Sequence, residues 1–302
     1  MDPVLLVASI MVSATPILLA AIGEMVVEKA GVLNLGVEGM MIVGAVMGFA
    51  VAIGTGSPVL GFLGAAVASA VLSLSFGFLT QVLLSNQVAT GLGLTLVGLG
   101  LSALIGSAYE GKKAPSLAKV HIPGLSDIPG IGRMLFSHDF MVYVSLLLVL
   151  AVWAFLRYTR AGLILRAVGE SHDSAHALGY KVVRVRMAAI FFGGACAGLG
   201  GAYVSLVRVP QWTEGMTAGA GWIALAIVVF ASWRPLGVLI GAYLFGGVTV
   251  LQLNLQAAGT SVPVELLSMS PYLITIIVLV IISARGAAGA PASLGRPFHA
   301  ST

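Results

Sequence analysis

Cysteine and charge are scarce in this chain, and both shortages exclude classes of protein. Cys196 is the only cysteine and lies within an apolar run, so there is no disulfide framework and no cysteine-based metal site. Charged residues account for 9% of the chain, whereas soluble domains have roughly 25%. The basic residues form no patch with interleaved aromatics, so nucleic acid is not an expected partner. The composition is therefore not that of a soluble globular domain.

Catalytic and nucleotide-binding motifs are also missing. The sequence has no P-loop, nucleophile elbow or dinucleotide fingerprint, so neither ATP binding nor enzymatic activity is predicted. His172 and His176 have the spacing of metal ligands on a helix, but no HExxH pattern or third ligand accompanies them. We interpret them as surface histidines. The first residues lack the basic region of a cleaved signal peptide and are assigned to the first membrane span.

Apolar residues are abundant instead, and their distribution predicts a multi-pass membrane protein. They make up 59% of the chain, and the mean hydropathy is +1.06. A transmembrane helix needs about 20 mostly apolar residues. Nine runs fit this requirement wholly or in part: 4–22, 37–53, 58–80, 88–107, 139–157, 187–207, 219–231, 236–257 and 266–284. The seventh run is too short for a straight span, so it is either a half-helix or a span that begins in loop 208–218. We expect an all-α integral membrane protein of about nine transmembrane helices, with residues 1–302 forming a single transmembrane domain.

The loop between the fifth and sixth runs sets the expected orientation. Residues 157–186 carry six basic and two acidic side chains, a charge density typical of the cytoplasmic side. This orientation puts loop 109–138 outside, the tail from residue 285 in the cytoplasm and the N-terminus outside. Four basic residues of the external loop favour the opposite orientation: Lys112, Lys113, Lys119 and Arg133. That loop is rich in proline and glycine, so an irregular cap is expected.

A short helix with recognisable ends is predicted inside loop 157–186. Ser171 is a suitable N-cap, and Gly179 is suited to the left-handed position that follows a helix. A short capped helix at a membrane surface is well shaped to dock another protein. The alternative is an ordinary positively charged cytoplasmic loop.

Two proline-led segments indicate an internal repeat. SPVLGFLGA at 57–65 is similar to RPLGVLIGA at 234–242, with a small shift in register. In the expected orientation Pro58 faces outside and Pro235 faces inside, as in an inverted-topology repeat with a pathway at the repeat interface. We expect repeat halves near 34–107 and 219–284, with the segments before each proline short or broken. Chance similarity is the alternative, because proline is common at helix starts.

Polar residues interrupt the apolar sequence GEMVVEKAGVLNLGVEG at 23–39. Irregular backbone at membrane depth is tolerated only where protein or a watery cavity satisfies it, so a broken helix beside a pathway is predicted. Asn34 either caps the following helix or meets a ligand, and Glu38 is an intramembrane acid and thus a functional candidate. The alternative is a cytoplasmic turn over 23–33 with solvated Glu24 and Glu28.

Three further polar or aromatic residues belong to the candidate pathway. Asn86 and Gln87 open the run at 88–107, where helix caps are the simplest interpretation. Trp222 lies in the short seventh run, where an interfacial anchor is the alternative. We expect all of these residues to lie near the pathway or its gates without forming a high-affinity pocket.

Six sequence blocks together resemble one family of transporters. The blocks are GVLNLGVEGMM (31–41), SNQVATGLGLTL (85–96), LSDIPGIGRMLF (125–136), GLILRAVGESHDSAHALGYKVVRVR (162–186), GWIALAIVVFASWRPLGVLIGA (221–242) and APASLGRPF (290–298). They are similar to permease subunits of nucleoside-type ABC importers, within the sugar and branched-chain amino-acid permease group. Sugar members have a form closer to GGIDLSVG at the first block, and branched-chain amino-acid members one closer to VINFAHG. The NLGVEG form favours the nucleoside branch.

The resemblance implies partners and a division of labour. It implies three protein partners: a second permease subunit in a heterodimer, a cytoplasmic ABC ATPase that binds the ATP, and an extracytoplasmic substrate-binding protein or lipoprotein. It also implies a location in the lipid bilayer of a bacterial inner membrane. The chain itself then carries no cofactor. The block at 162–186 resembles the coupling helix that seats in the ATPase. The residues expected at that contact are Arg166, Glu170, Ala175, Leu178, Gly179, Arg184 and Arg186.

The substrate and one alternative class stay open. Purine or pyrimidine nucleosides are the first expectation, with simple sugars or riboflavin-like metabolites as alternatives. A self-sufficient secondary transporter or channel is the competing class. It would need Glu38 as its coupling acid and would leave the basic capped loop unexplained.

Overall fold

The computed structural model describes residues 3–121, 123–259, 262–284 and 289–299, and its regular secondary structure is helical. Twelve α-helices lie in these ranges: α1 Pro3–Lys29, α2 Val37–Thr55, α3 Pro58–Gly77, α4 Gln87–Gly106, α5 Ile131–Leu135, α6 Phe140–Tyr158, α7 Arg160–Glu170, α8 His172–Ala177, α9 Val182–Tyr203, α10 Ala220–Phe230, α11 Pro235–Ala257 and α12 Val264–Ala284. Within the same ranges, strand-like pairing is limited to two isolated bridges. The all-α prediction is confirmed for this part of the chain. The predicted start of the tail, at residue 285, lies outside the described residues.

Seven helices of the described chain are long and apolar enough to cross a membrane. They are α1, α2, α3 with a π-helical extension to Val82, α4, α6, α9 with a π-helical extension to Arg208, and α11. The predicted count of about nine full spans is not confirmed. With 11 residues, α10 is about 16 Å long, roughly half of a hydrocarbon core of about 30 Å. The run at 219–231 is therefore a half-helix and does not cross the bilayer alone.

The centre of the bundle is formed by α1, α2, α3 and α9, which pack closely through glycine. A Cβ on Gly44 of α2 would lie 2.4 Å from the Cα of Gly198 on α9. One on Gly194 would lie 2.4 Å from the Ser73 side chain of α3. Backbones can approach this closely only where side chains are absent, as in many membrane helix pairs.

The outer faces of the bundle are apolar. Large exposed side chains include Leu63 and Val67 on α3, Leu96 and Leu104 on α4, and Ile240 on α11. Apolar surface of this extent is stable against lipid or another apolar subunit, not against water. The exposed faces therefore agree with a membrane-embedded bundle.

Both proline-led segments begin a helix, but the segments before them differ. Pro58 and Pro235 each occupy the first turn of a helix, after Ser57 and Arg234 in extended conformation. Pro58 is preceded by α2, a continuous helix of 19 residues, and Pro235 is preceded by the half-helix α10. The expectation that both would be short or broken is wrong for α2, because its apolar length supports a full span.

Candidate functional site

The chain leaves helical geometry between α1 and α2, over residues 30–36, which we call the break. α1 continues through Glu24 and Glu28, which are both buried, as far as Lys29. The alternative of a solvated turn over 23–33 is therefore wrong. Gly31 begins the change of direction with φ of +85°, a left-handed value that glycine adopts without strain.

Asn34 and Gln87 satisfy the backbone of the break from within the protein. The Asn34 carboxamide oxygen accepts from the Gly36 amide at 3.0 Å, and its nitrogen donates to Glu24 at 3.4 Å. Gln87 Oε1 accepts from the Leu33 amide at 2.8 Å. Gly36, not Asn34, occupies the N-cap position of α2. Asn34 is thus a fully buried side chain that holds the break in its irregular conformation.

The Leu35 carbonyl joins the break to α4 and α10. It accepts from the Thr95 hydroxyl at 3.2 Å and from the Trp222 indole nitrogen at 3.4 Å. Asn86 differs from the other pathway candidates, because it is exposed and caps α4 by accepting from the Ala89 amide at 3.0 Å. The structure therefore brings Asn34, Gln87 and Trp222 together at the break but leaves Asn86 at its edge.

Glu38 lies in the first turn of α2 and holds the N-terminus of α10. Its Oε1 accepts from the Thr217 hydroxyl at 2.5 Å and the Gly219 amide at 3.0 Å, and its Oε2 accepts from the Gly221 amide at 2.7 Å. Amides at a helix N-terminus have no intrahelical partner, and the helix dipole favours an anion there. These bonds explain how an acid only 3% exposed is accommodated.

Close packing reinforces this contact. A Cβ on Gly221 would lie 2.6 Å from the Glu38 Cα, so α10 can approach α2 only with glycine at this position. The sequence identified Glu38 as a functional candidate but gave no indication of its partners, which are about 180 residues away in the chain.

The other end of α10 is attached to Glu28. Ser232 and Trp233 follow the half-helix with φ of +51° and +53°, a conformation that costs energy for residues other than glycine. The Trp233 indole nitrogen donates to the Glu28 carboxylate, which fixes this turn against α1. The two ends of α10 are thus held by two buried acids, Glu38 and Glu28, on opposite sides of the break. The role of Glu28 could not be predicted from the sequence, because its partner Trp233 lies 205 residues away in the chain.

Three buried side-chain atoms around the break have no hydrogen-bond partner within the described protein. They are Oε1 of Glu24, Oε1 of Glu28 and Nε2 of Gln87. Native proteins satisfy most buried polar groups, so a cluster of such atoms marks the surroundings of the break as unusual. Within the described bundle, this region offers polar groups to water or to a polar ligand.

The predicted docking helix is present as α8. The Ser171 hydroxyl accepts from the Ser174 amide at 3.2 Å, and Gly179 has φ of +87° after the helix ends. Leu178 is 77% exposed, whereas Ala175 is buried against Val168 of α7. The Ala175 side chain is therefore not presented at the surface of this structure, and its expected contact with the ATPase stays a prediction.

The remaining expected coupling residues divide into two groups. Four of them are exposed, as Leu178 is: Arg166, Glu170, Gly179 and Arg184. Arg186, by contrast, is fully buried and cannot reach a partner protein from this position. In the sequence Arg186 resembles the other arginines of the loop, because its bonding partners are not among its sequence neighbours.

Arg186 connects the break to the docking helix. It donates to the Ala30 carbonyl at 3.2 Å, to Gln81 Oε1 at 3.2 Å, to the Arg296 carbonyl at 3.1 Å and towards His172 Nδ1 at 3.2 Å. Buried charges persist where such bonds replace water. One side chain therefore joins the break, the π-helical end of α3, the C-terminal tail and α8.

The described tail, residues 289–299, packs against α7, α8 and the break. The Ser293 amide donates to the Gly169 carbonyl at 2.9 Å, and the Gly295 amide donates to the Gly31 carbonyl at 3.2 Å. The Phe298 ring packs edge-on against His172 and His176, with centroids 5.5 and 5.2 Å away. The tail therefore contacts both the break and the docking helix.

His172 is buried, contrary to its interpretation as a surface histidine. Its burial and the nearby Arg186 guanidinium lower the pKa of its imidazole from the ordinary value of 6.5, against a smaller opposite effect of Asp173. The neutral ring then accepts from Arg186 at Nδ1. Within the described residues no three His, Cys, Asp or Glu side chains form a group that could hold a metal ion.

This bundle, with an irregular break between α1 and α2 and a half-helix held against it, has the architecture of a multi-pass membrane protein. The chain belongs to the family of permease components of branched-chain amino acid transport systems, whose model matches residues 6–282.

Three relatives narrow the class. The chain is 41% identical over 289 residues to a putative glucose ABC transporter permease protein of Haloferax volcanii, which covers 88% of each chain. It is 32% identical over 311 residues to the guanosine ABC transporter permease protein NupQ of Bacillus subtilis, covering 97% of this chain and 96% of that one. It is 30% identical over 288 residues to the nucleoside ABC transporter permease protein NupC of Lactococcus lactis, covering 91% of each. No solved structure was found to match significantly. The predicted resemblance to ABC permeases is confirmed, and this chain is a multi-pass ABC transporter permease of the cell membrane.

Proposed function

We propose that this chain is one of two membrane subunits of a binding-protein-dependent importer and moves nucleosides inward across a bacterial cytoplasmic membrane. The observation that carries the proposal is Arg186, because its bonds to Ala30 and His172 join the break to the docking helix. A motion imposed on α8 by an ATPase subunit would reach the break through this side chain. The chain would bind no ATP itself.

Leu178 is the proposed centre of the ATPase contact. It is 77% exposed on a polar unit outside the apolar bundle, and burying a leucine side chain contributes about 1.5–3 kcal/mol. The exposed residues Arg166, Glu170, Gly179 and Arg184 would form the rim of the contact. Such a surface is expected to be covered by a partner with an apolar groove and acidic edges.

Replacing Leu178 tests this assignment in the reconstituted complex. Leu178→Asp would bury an unpaired charge at the contact, so substrate-stimulated ATP hydrolysis and uptake should fall while the permease still inserts. Leu178→Met keeps an apolar side chain and should retain most coupling. Full coupled hydrolysis in the Leu178→Asp complex would exclude Leu178 from the contact.

Nucleosides are the proposed substrate because of the NLGVEG form and the two relatives named for guanosine or nucleoside transport. A simple sugar is the second candidate, favoured by the relative named for glucose at 41% identity. The pathway near Asn34, Glu38, Asn86, Gln87 and Trp222 is expected to bind weakly, with affinity residing in the external binding protein. Uptake of labelled guanosine, uridine and glucose by the complete complex separates these candidates.

The proposed arrangement in the membrane keeps the inverted repeat, with halves near 34–107 and 219–284, loop 109–138 outside and loop 157–186 inside. A second, different permease would complete the pathway. The N-terminus would lie outside and the C-terminus in the cytoplasm. Single cysteines decide the orientation against a low background, because Cys196 is buried. Ser57→Cys should react with an impermeant reagent added outside, and Ser232→Cys only from inside. Labelling of both from one side would contradict the repeat.

A further inference from the structure

A cavity of about 460 Å³ lies beside the N-terminal half of α10, between this helix and α11 and α12. Three aromatic side chains, Trp222, Phe245 and Tyr272, contribute to its walls. Its size falls within the usual range of about 300–1,000 Å³ for small-molecule sites. The cavity is therefore large enough for a metabolite, and aromatic rings form part of a mainly apolar lining.

The orientation of Trp222 distinguishes it from an interfacial anchor. Its indole nitrogen donates to the Leu35 carbonyl in the break, and the residue is 46% exposed. An anchoring tryptophan directs its polar edge towards the headgroup region. Here the polar edge is bound inside the bundle, and this bond fixes a ring that remains accessible at the cavity.

The rest of the lining favours a planar apolar group. Phe245 and Tyr272 are in edge contact, with centroids 6.0 Å apart and planes at 83°. Thr275 lines the cavity with a hydroxyl that donates to the Pro271 carbonyl. A wall with so few polar groups cannot match the many hydroxyls of a simple sugar, since each would lose its hydrogen bonds to water. Aromatic rings, in contrast, stack on any nucleobase.

We propose that this cavity receives the base of the transported nucleoside, which stacks on Trp222 as it passes the break. The inference rests on the nucleoside function proposed above and assigns the base, rather than the ribose, to the recognised group. Because Glu38 fixes the N-terminus of α10, the ring of Trp222 has a defined position. Stacking of this kind is consistent with weak, rapid binding along a pathway.

Uptake by the complete complex in proteoliposomes tests the inference. Trp222→Ala should lower nucleoside uptake at subsaturating concentration about 5- to 150-fold, as expected for one lost base–aromatic stack. Trp222→Phe keeps a ring but lacks the indole nitrogen, so it should retain most uptake. Trp153 is an exposed tryptophan of α6 that does not line the cavity, and Trp153→Ala should leave uptake unchanged.

The same preparations give an independent readout. An azido-substituted adenosine should photolabel the peptide that contains Trp222, and excess uridine should prevent this labelling. The inference is overturned if Trp222→Phe is as impaired as Trp222→Ala, because the bond to Leu35 would then be the important one. It is also overturned if brominated acyl chains, and not nucleosides, quench the fluorescence of Trp222. Nucleoside import that is unaffected by Trp222→Ala overturns the inference alone, whereas import of glucose without any nucleoside overturns the proposed substrate as well.

Discussion

Replacing Glu38 with alanine should release the N-terminus of α10 from α2. The carboxylate accepts three hydrogen bonds, from Thr217, Gly219 and Gly221. Two of the donors are backbone amides that the helix cannot satisfy itself. In Glu38→Ala these amides would face a buried surface without an acceptor, so the first turn of α10 is expected to fray.

The free-energy cost of Glu38→Ala follows from the number of buried amides that lose their acceptor. A buried donor without an acceptor costs about 1–3 kcal/mol, so the two amides together amount to about 2–6 kcal/mol. Glu38→Gln keeps one acceptor oxygen but replaces the other with a donor, which would face an amide hydrogen. The first turn of α10 is therefore expected to be most stable with glutamate at position 38, less stable with glutamine and least stable with alanine.

Hydrogen exchange of the peptide that covers Gly219 and Gly221 measures this effect. A loss of about 2 kcal/mol corresponds to roughly 30-fold faster exchange through local opening. Glu214 is exposed in the loop before α10, so Glu214→Ala serves as the matched control and should exchange like the parent protein. Unchanged protection of this peptide in Glu38→Ala would refute the role assigned to Glu38.

Two further predictions concern the packing of α10 and the unit around α8. Gly221→Ala should lower the thermal stability of the purified permease by at least about 1–3 kcal/mol, because its Cβ would lie 2.6 Å from the Glu38 Cα. Gly93→Ala on α4 meets no atom within 4 Å and should be neutral in the same melting assay. The lowered pKa of His172 means that the folded protein favours the neutral imidazole. The hydrogen bond between Arg186 and His172 should therefore be fully formed above pH 6.5 and should weaken as the pH falls through the lowered pKa. Limited proteolysis of the tail should therefore accelerate at low pH, and His172→Gln should remove that pH dependence.

Much of the helical framework could be predicted from local sequence. The apolar run at 139–157 corresponds to α6, Phe140–Tyr158, because length and hydropathy are sufficient to define a span. The run at 219–231 is too short to span the membrane, and it forms the half-helix α10. Ser171 and Gly179 were identified correctly as helix ends, since capping depends on neighbours three or four residues away.

Burial of charge could not be predicted in the same way. The partners of Arg186 are 156, 105, 110 and 14 residues away in the chain, so its sequence neighbours made it look like part of a solvated basic run. Glu28 is held by Trp233, 205 residues away. The burial of Ala175 could not be predicted either, because a small apolar residue on a short helix fits an inner or an outer face equally well.

The pathway candidates fall between these cases. Asn34 and Glu38 were selected because polar groups are costly at membrane depth, and both are buried, Asn34 in the break and Glu38 in the first turn of α2. The partners of Glu38, however, depend on how the half-helix α10 packs against α2. Sequence periodicity carries no information about that contact.

The central claim is that Arg186 transmits the state of the docking helix to the break. The direct measurement is the number of nucleosides imported per ATP hydrolysed by the reconstituted complex. Arg186→Lys keeps the charge but cannot make the four directed bonds, so ATPase binding and basal hydrolysis should persist while import per ATP falls at least about tenfold. Arg184→Lys, at an exposed position two residues earlier, should match the parent complex. An unchanged ratio of import to hydrolysis in Arg186→Lys would contradict the account.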